Sequence, residues 1–128
     1  MTDVDNSARG ARWRALIAAR LVDAGQVNAE AVKRPRGSRT LSQRLSDATP
    51  ATDIQGISGW SLRVAHRLRW NDAATELDEA QRMCALDHTE FGAAILPRVG
   101  RPTDALVLLD LATFSALLRA SQRAEAAA

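Results

Sequence analysis

Cysteine is almost missing from this chain: Cys84 is the only one in 128 residues. That excludes an intramolecular disulfide and a cysteine-rich zinc site, and Cys84 itself reads as a core residue. Lysine occurs once, at Lys33, so nearly all of the positive charge is arginine, whose planar fork favours bidentate contact with phosphate or carboxylate. Apolar runs are short. The most hydrophobic stretch, residues 105–118, cannot span a bilayer and contains Asp110. The first ten residues, MTDVDNSARG, carry acids where a secretory leader has basic residues and then an apolar run, which reads as a cytoplasmic protein. Walker-type loops, dinucleotide-binding glycine fingerprints and zincin motifs are missing too. The expectation is a non-enzyme with no cofactor and no metal site.

What is present is the composition of one ordinary globular domain over residues 1–128, with 46% hydrophobic and 25% charged residues. The net charge of +2 conceals an asymmetry. Residues 1–70 hold 12 of the 17 basic side chains and 6 of the 15 acids. Such a split suggests a basic contact surface and an acidic or structural remainder.

Hydrophobic periodicity predicts helices throughout, and we read no strand-like alternation. After a frayed stretch over 1–7, Trp13, Leu16, Ile17, Leu21 and Ala24 form one helical stripe over about 8–24, which Gly25 is placed to end. Asn28 can cap a short helix that stops before Pro35. Residues 33–39, KRPRGSR, form a basic loop. Thr40 and Gln43 have capping-box spacing, and Pro50 can open a single turn reaching Gln55. Ser58 then caps a helix to about Trp70, stapled by Ile57 and Leu62. Asn71 or Asp72 caps the next, with Ala73, Leu77, Ala80 and Cys84 on one face. Asp87 and Glu90 have capping-box spacing for another. Thr103 starts a last helix, apolar on nearly every side, before a frayed tail over 122–128. The fold class expected is all-α: a compact bundle of five to seven helices, its C-terminal helix in the core or at a dimer interface.

Residues 56–70, GISGWSLRVAHRLRW, concentrate the candidate contacts. On a helix, Arg63, His66, Arg67 and Trp70 share the polar arc. Arg63 and Arg67 are a like-charge i, i+4 pair that an anionic partner would favour; a solvated face is the plain alternative. Gly56-Ile57-Ser58 followed by Ser61, Leu62, Ala65 and Leu68 resembles the turn and recognition helix of helix-turn-helix DNA-binding proteins. That resemblance implies that Ser58, Gly59, Trp60, Arg63 and Arg67 face DNA while Ile57, Leu62 and Ala65 pack inward. The same residues resemble the helix-hairpin-helix motif, which implies binding directed at phosphates and blind to sequence. Lys33-Arg34-Pro35-Arg36-Gly37, with Arg39 beyond, resembles the AT-hook, which lays arginines into the narrow minor groove.

Asp110 is the single charge in an apolar segment. It reads as a carboxylate paired with an arginine such as Arg20 or Arg98, or as the register of a helical dimer, with Leu109 and Phe114 beside it at an interface. The sequence therefore predicts a small nucleic-acid-binding protein, regulatory or architectural, with DNA favoured over RNA. The alternative is a non-enzymatic interaction or assembly module that meets a protein partner, or a second copy, through its C-terminal helix.

Overall fold

The computed structural model describes residues 3–33, 49–65, 73–98 and 104–127, with side chains from residue 8 onward. Helix α1 (Asp3–Asp23) carries the stripe that the sequence predicts, and it begins at Asp3 rather than near Ala8. Ile17 and Ala18 are buried, and Trp13 and Leu21 pack against the same cluster. Gly25, at a φ of 110°, ends the helix. The Gln26 N–H donates to the Leu21 carbonyl at 2.8 Å and the Gly25 N–H to that of Val22 at 3.0 Å, the double bond of a Schellman cap.

Beyond Gly25 the chain departs from the expected all-α bundle, for the fold is mixed α/β. Among the described residues there follow β1 (Glu30–Ala31), β2 (Ile54–Gln55), β3 (Trp60–Val64), α2 (Ala73–Asp87), β4 (Phe91–Leu96), β5 (Leu106–Leu108) and α3 (Leu111–Ala127). β1 and β2 pair antiparallel. β3, β4 and β5 form a second sheet in that order, β3 parallel to β4 and β4 antiparallel to β5. α2 makes the crossover that a parallel pair requires.

Four helical expectations fail here, each for a physical reason. The short helix after Asn28 is replaced by β1, and the turn opened by Pro50 by bends over 51–53 leading into β2. The helix expected over 58–70 is a strand at Trp60–Val64. Trp60, Leu62 and Val64 lie on a helical arc, but they also alternate with Ser61 and Arg63, and two-residue alternation is the period of a strand. The helix expected from Asp87 is β4, whose FGAAIL run is apolar on both faces because both faces are covered. A short continuous apolar run fits either element by pattern alone.

The two faces of the sheet follow from that alternation. Leu62 and Val64 of β3, with Ala93 and Ile95 of β4, join Ile17, Ala18 and Ile54 in the core beneath α1. The opposite face meets α2. A Cβ on Gly92 would lie 2.7 Å from the Cys84 Sγ and 3.0 Å from the Ala80 carbonyl oxygen, so β4 and α2 touch almost backbone to backbone. Met83 and Ile54 are fully buried, worth about 1.5–3 kcal/mol each.

The last helix is also corrected. Residues 106–108 are β5, and α3 starts at Leu111 and continues to Ala127 instead of fraying at 122. It contributes no buried residue, so it is not a core helix. Among the described residues no helix is long and apolar enough to cross a membrane.

Candidate nucleic-acid interface

Arg63, the centre of the predicted contact surface, projects from β3 toward α2. Its Nε donates to Glu76 Oε2 at 2.7 Å, and its Nη1 lies 3.7 Å from Asp53 Oδ2. Asp53 is 2% exposed, Glu76 22% and Arg63 30%. Burial works against the Arg63 charge, but the hydrogen bond to Glu76 and the charges of Asp53, Glu76 and Glu79 outweigh it, so the guanidinium holds its proton more firmly than an ordinary arginine. An arginine clasped by two carboxylates is a structural ion, with little of its charge left for a phosphate.

The same carboxylate helps close the edge of the sheet. Asp53 Oδ2 accepts the Val64 N–H at 2.8 Å, and Thr52 Oγ1 accepts the Leu62 N–H at 2.9 Å. Two side chains thus take donors that another strand would otherwise satisfy, which protects an edge from unwanted pairing. Asp87 does similar work at the end of α2. Its two oxygens accept the Ala51 and Thr52 N–H groups at 2.9 and 2.8 Å. The sequence placed Asp87 at the start of a helix; it stands at the end of one, and His88 at a φ of 56° turns the chain into β4.

The remaining predicted contacts scatter. Ser58 and Gly59 belong to the turn before β3 rather than to a helix N-terminus, with Ser58 exposed. The Trp60 ring packs against Phe91 at a centroid distance of 5.0 Å. Arg34, Arg36, Arg39, His66 and Arg67 lie outside the described residues. Among the described residues Asp110 pairs with no arginine, and it stands before a helix rather than inside one. It caps α3: its Oδ1 accepts the Thr113 N–H at 2.8 Å, and its Oδ2 accepts from Gln81 Nε2 of α2 at 3.1 Å. Leu109 is partly buried against the main core, while Phe114 is 48% exposed.

The predicted site did not include α1, yet α1 presents the most regular basic surface among the described residues. Arg9, Arg12 and Arg20 are all exposed and, at 100° per residue, fall within an arc of about 80° and along about 16 Å of helix. Half-buried Leu16 lies between them, and Ala15 and Ala19 beside them are exposed, leaving a low flank that a large anion can approach. Asp23 ends the stripe. Trp13 Nε1 donates to the Ala65 carbonyl at 2.7 Å, which fixes the helix's roll, so that Arg9 and Arg20 flank the core face and Arg12 stands farther round. The sequence already places Arg9, Arg12, Arg14 and Arg20 on the surface of this helix that its apolar stripe leaves over.

A shallow open dish of about 390 Å³ lies at the beginning of β3, lined by Pro50, Gln55, Gly56, Trp60, Asp87 and Thr89 among others. Gly56 brings it close to the end of α1: at a φ of +88° its Cβ position lies 1.8 Å from the Asn28 carbonyl oxygen, so only glycine fits. Among the described residues, no cluster of three or more His, Cys, Asp or Glu side chains could hold a metal ion. Comparison with family models, curated proteins and solved structures finds no match to this chain.

Proposed function

We propose that this protein binds nucleic acid through its phosphate backbone, in a regulatory or architectural rather than a catalytic role. The observation that carries the reading is the exposed stripe of Arg9, Arg12 and Arg20 along one side of α1, with half-buried Leu16 between them and exposed alanines beside them. The basic stretch 33–39 begins ten residues after the end of that helix at Asp23 and adds charge to the same half of the chain. DNA is favoured over RNA on the AT-hook resemblance of 33–39. Binding of this kind is electrostatic, nearly blind to sequence, and falls steeply with salt.

The test is a salt titration of binding to random duplex DNA. Each phosphate contact contributes about 0.9 to the slope of log K against log salt. The Arg9/Arg12/Arg20→Ala variant is expected to lose about 2.7 units of slope, while Arg63→Ala keeps the wild-type slope. Absence of a shift at low salt, or an unchanged slope in the triple variant, would sink the reading.

A second reading, an interaction module, is favoured by the C-terminal helix. Leu111 is 79% exposed, Phe114 48% and Leu118 45%, and their i, i+3, i+7 spacing makes one apolar stripe. With Val107 of β5 at 61%, the surface suits association with a second copy. A strict monomer by sedimentation at high concentration would remove it.

A further inference from the structure

We infer that the dish at the start of β3 receives an unpaired base of a single-stranded nucleic acid, stacked on Trp60. The inference rests on the nucleic-acid reading above and goes beyond it, because the α1 stripe addresses only the backbone. The dish measures about 390 Å³, near the lower end of the roughly 300–1,000 Å³ of ligand pockets. It is too open to bury most of a free small molecule's surface, as such pockets do. An open dish with an aromatic wall suits a flat group held in place by the polymer it belongs to. Base–aromatic stacking of this kind is tolerant of sequence and works on half-exposed rings.

The ring is positioned for it. Trp60 is half-buried, braced by Phe91 at 5.0 Å, and both residues stand at the paired ends of β3 and β4, so the indole loses little freedom when a base lands on it. The polar rim supplies acceptors. Each Asp87 oxygen already takes one backbone N–H, from Ala51 and Thr52, and an ionised carboxylate has about four acceptor positions. The remaining positions suit an exocyclic amino group. Cytosine and adenine carry such a donor, whereas thymine presents a carbonyl oxygen in its place. The dish also adjoins the turns that follow the basic helix, where Gly56 touches the Asn28 carbonyl five residues beyond Asp23, and Arg20 lies in the last turn of α1. A strand whose phosphates met that end of α1 would have its bases beside the dish.

Fluorescence anisotropy with end-labelled 12-mers at low salt tests this. Oligo(dC) is expected to bind several-fold more tightly than oligo(dT), and an abasic 12-mer of equal charge most weakly. Trp60→Ala should weaken oligo(dC) binding by about 5- to 100-fold without changing the salt slope, and Trp60→Phe should restore most of it. Equal affinity for oligo(dC) and the abasic 12-mer overturns the inference. That comparison uses the unaltered chain, so it decides the matter even where Trp60→Ala unfolds with the loss of its Phe91 contact. Free cytidine binding as tightly as oligo(dC) would also overturn it, by making the ligand a nucleoside. Where the duplex binds with the slope set by α1 but base identity has no effect, only the dish falls; where no nucleic acid binds, both readings fall.

Discussion

Replacing Arg63 with alanine separates a structural ion from a ligand contact. In the folded protein Asp53 is 2% exposed and Glu76 22%, and Arg63 faces both at 3.7 and 2.7 Å. Removing one member of a fully buried pair costs about 3–5 kcal/mol, because the other charge is left without compensation. The Arg63 side chain is 30% exposed, so water screens part of the attraction, and Asp53 keeps its bond from the Val64 N–H. The expected loss is about 2 kcal/mol. In a domain of this size that corresponds to a fall in Tm of roughly 6–12 °C, or about 1 M in the urea midpoint, followed by circular dichroism. Adding Asp53→Asn to the same variant should recover part of the loss. The amide oxygen still accepts the Val64 N–H and no buried charge remains, so the two changes should be non-additive. Duplex affinity, measured where both proteins are folded, should be unchanged. An Arg63→Ala protein with the wild-type midpoint and a tenfold loss of DNA affinity would refute the reasoning and return Arg63 to the contact surface.

Other changes probe the frame around the candidate surfaces. Gly56→Ala forces a Cβ to 1.8 Å from the Asn28 carbonyl oxygen at a φ of +88°; backbone must move, and a loss of about 2–4 kcal/mol is expected in a urea melt. Gly92→Ala meets the Cys84 Sγ at 2.7 Å and the Ala80 carbonyl at 3.0 Å, with an expected loss of about 1–3 kcal/mol; a smaller residue at Cys84 should relieve only the first contact. Asp87→Ala strips the acceptors from two backbone N–H groups, those of Ala51 and Thr52, and is expected to cost about 1–3 kcal/mol with faster amide exchange at both. The Asp110 carboxyl is held below the usual carboxylate range by the Thr113 hydroxyl and N–H, with help from Gln81. Since its folded pKa is depressed, its stabilisation is complete above the ordinary carboxylate value of about 3.9 and is lost as pH falls through the lower folded value. A carbon-detected NMR titration placing its midpoint at or above about 3.9 would contradict the cap.

Much of the helical frame was legible. α1 shows a full apolar stripe ended by Gly25, and α2 shows Ala73, Leu77, Ala80 and Cys84 on one side, because a helix writes its burial every three or four residues. The sheet was not. β4 reads FGAAIL, with alanines that favour helices intrinsically, and becomes a strand because α1 and α2 cover both its faces and Gly92 lets α2 come close. β1 and β2 are two residues each, too short for any period. The edge of β3 is closed by Thr52 and Asp53 side chains, an arrangement that depends on residues about ten positions away and leaves no local pattern. Asp110 is an anomaly only where the apolar stretch around it forms a single helix. Once β5 ends at Leu108, the aspartate falls at a helix start, where its type is expected.

The arginines show why charge composition alone could not locate the contact surface. A basic half counts equally an arginine that faces solvent and one neutralised from within, yet only the first releases counterions from a nucleic acid. Arg63 belongs to the second kind: its partners are Asp53 from the same half of the chain and Glu76 from the acidic half. The charge asymmetry between the halves is therefore partly the two sides of an internal pair. Most of the other basic residues of the basic half lie on α1 and in residues 33–39, and the geometry of α1 differs from that of a recognition helix. Arg9, Arg12 and Arg20 lie along the length of a helix held flat against the sheet by Trp13 and Ile17, so their side chains can follow a backbone but cannot insert an end into a groove. Such a surface supplies affinity without sequence discrimination. On the proposed reading, any base preference comes from a separate place on the molecule, and the dish lined by Trp60 and Asp87 is where an aromatic ring and a carboxylate meet.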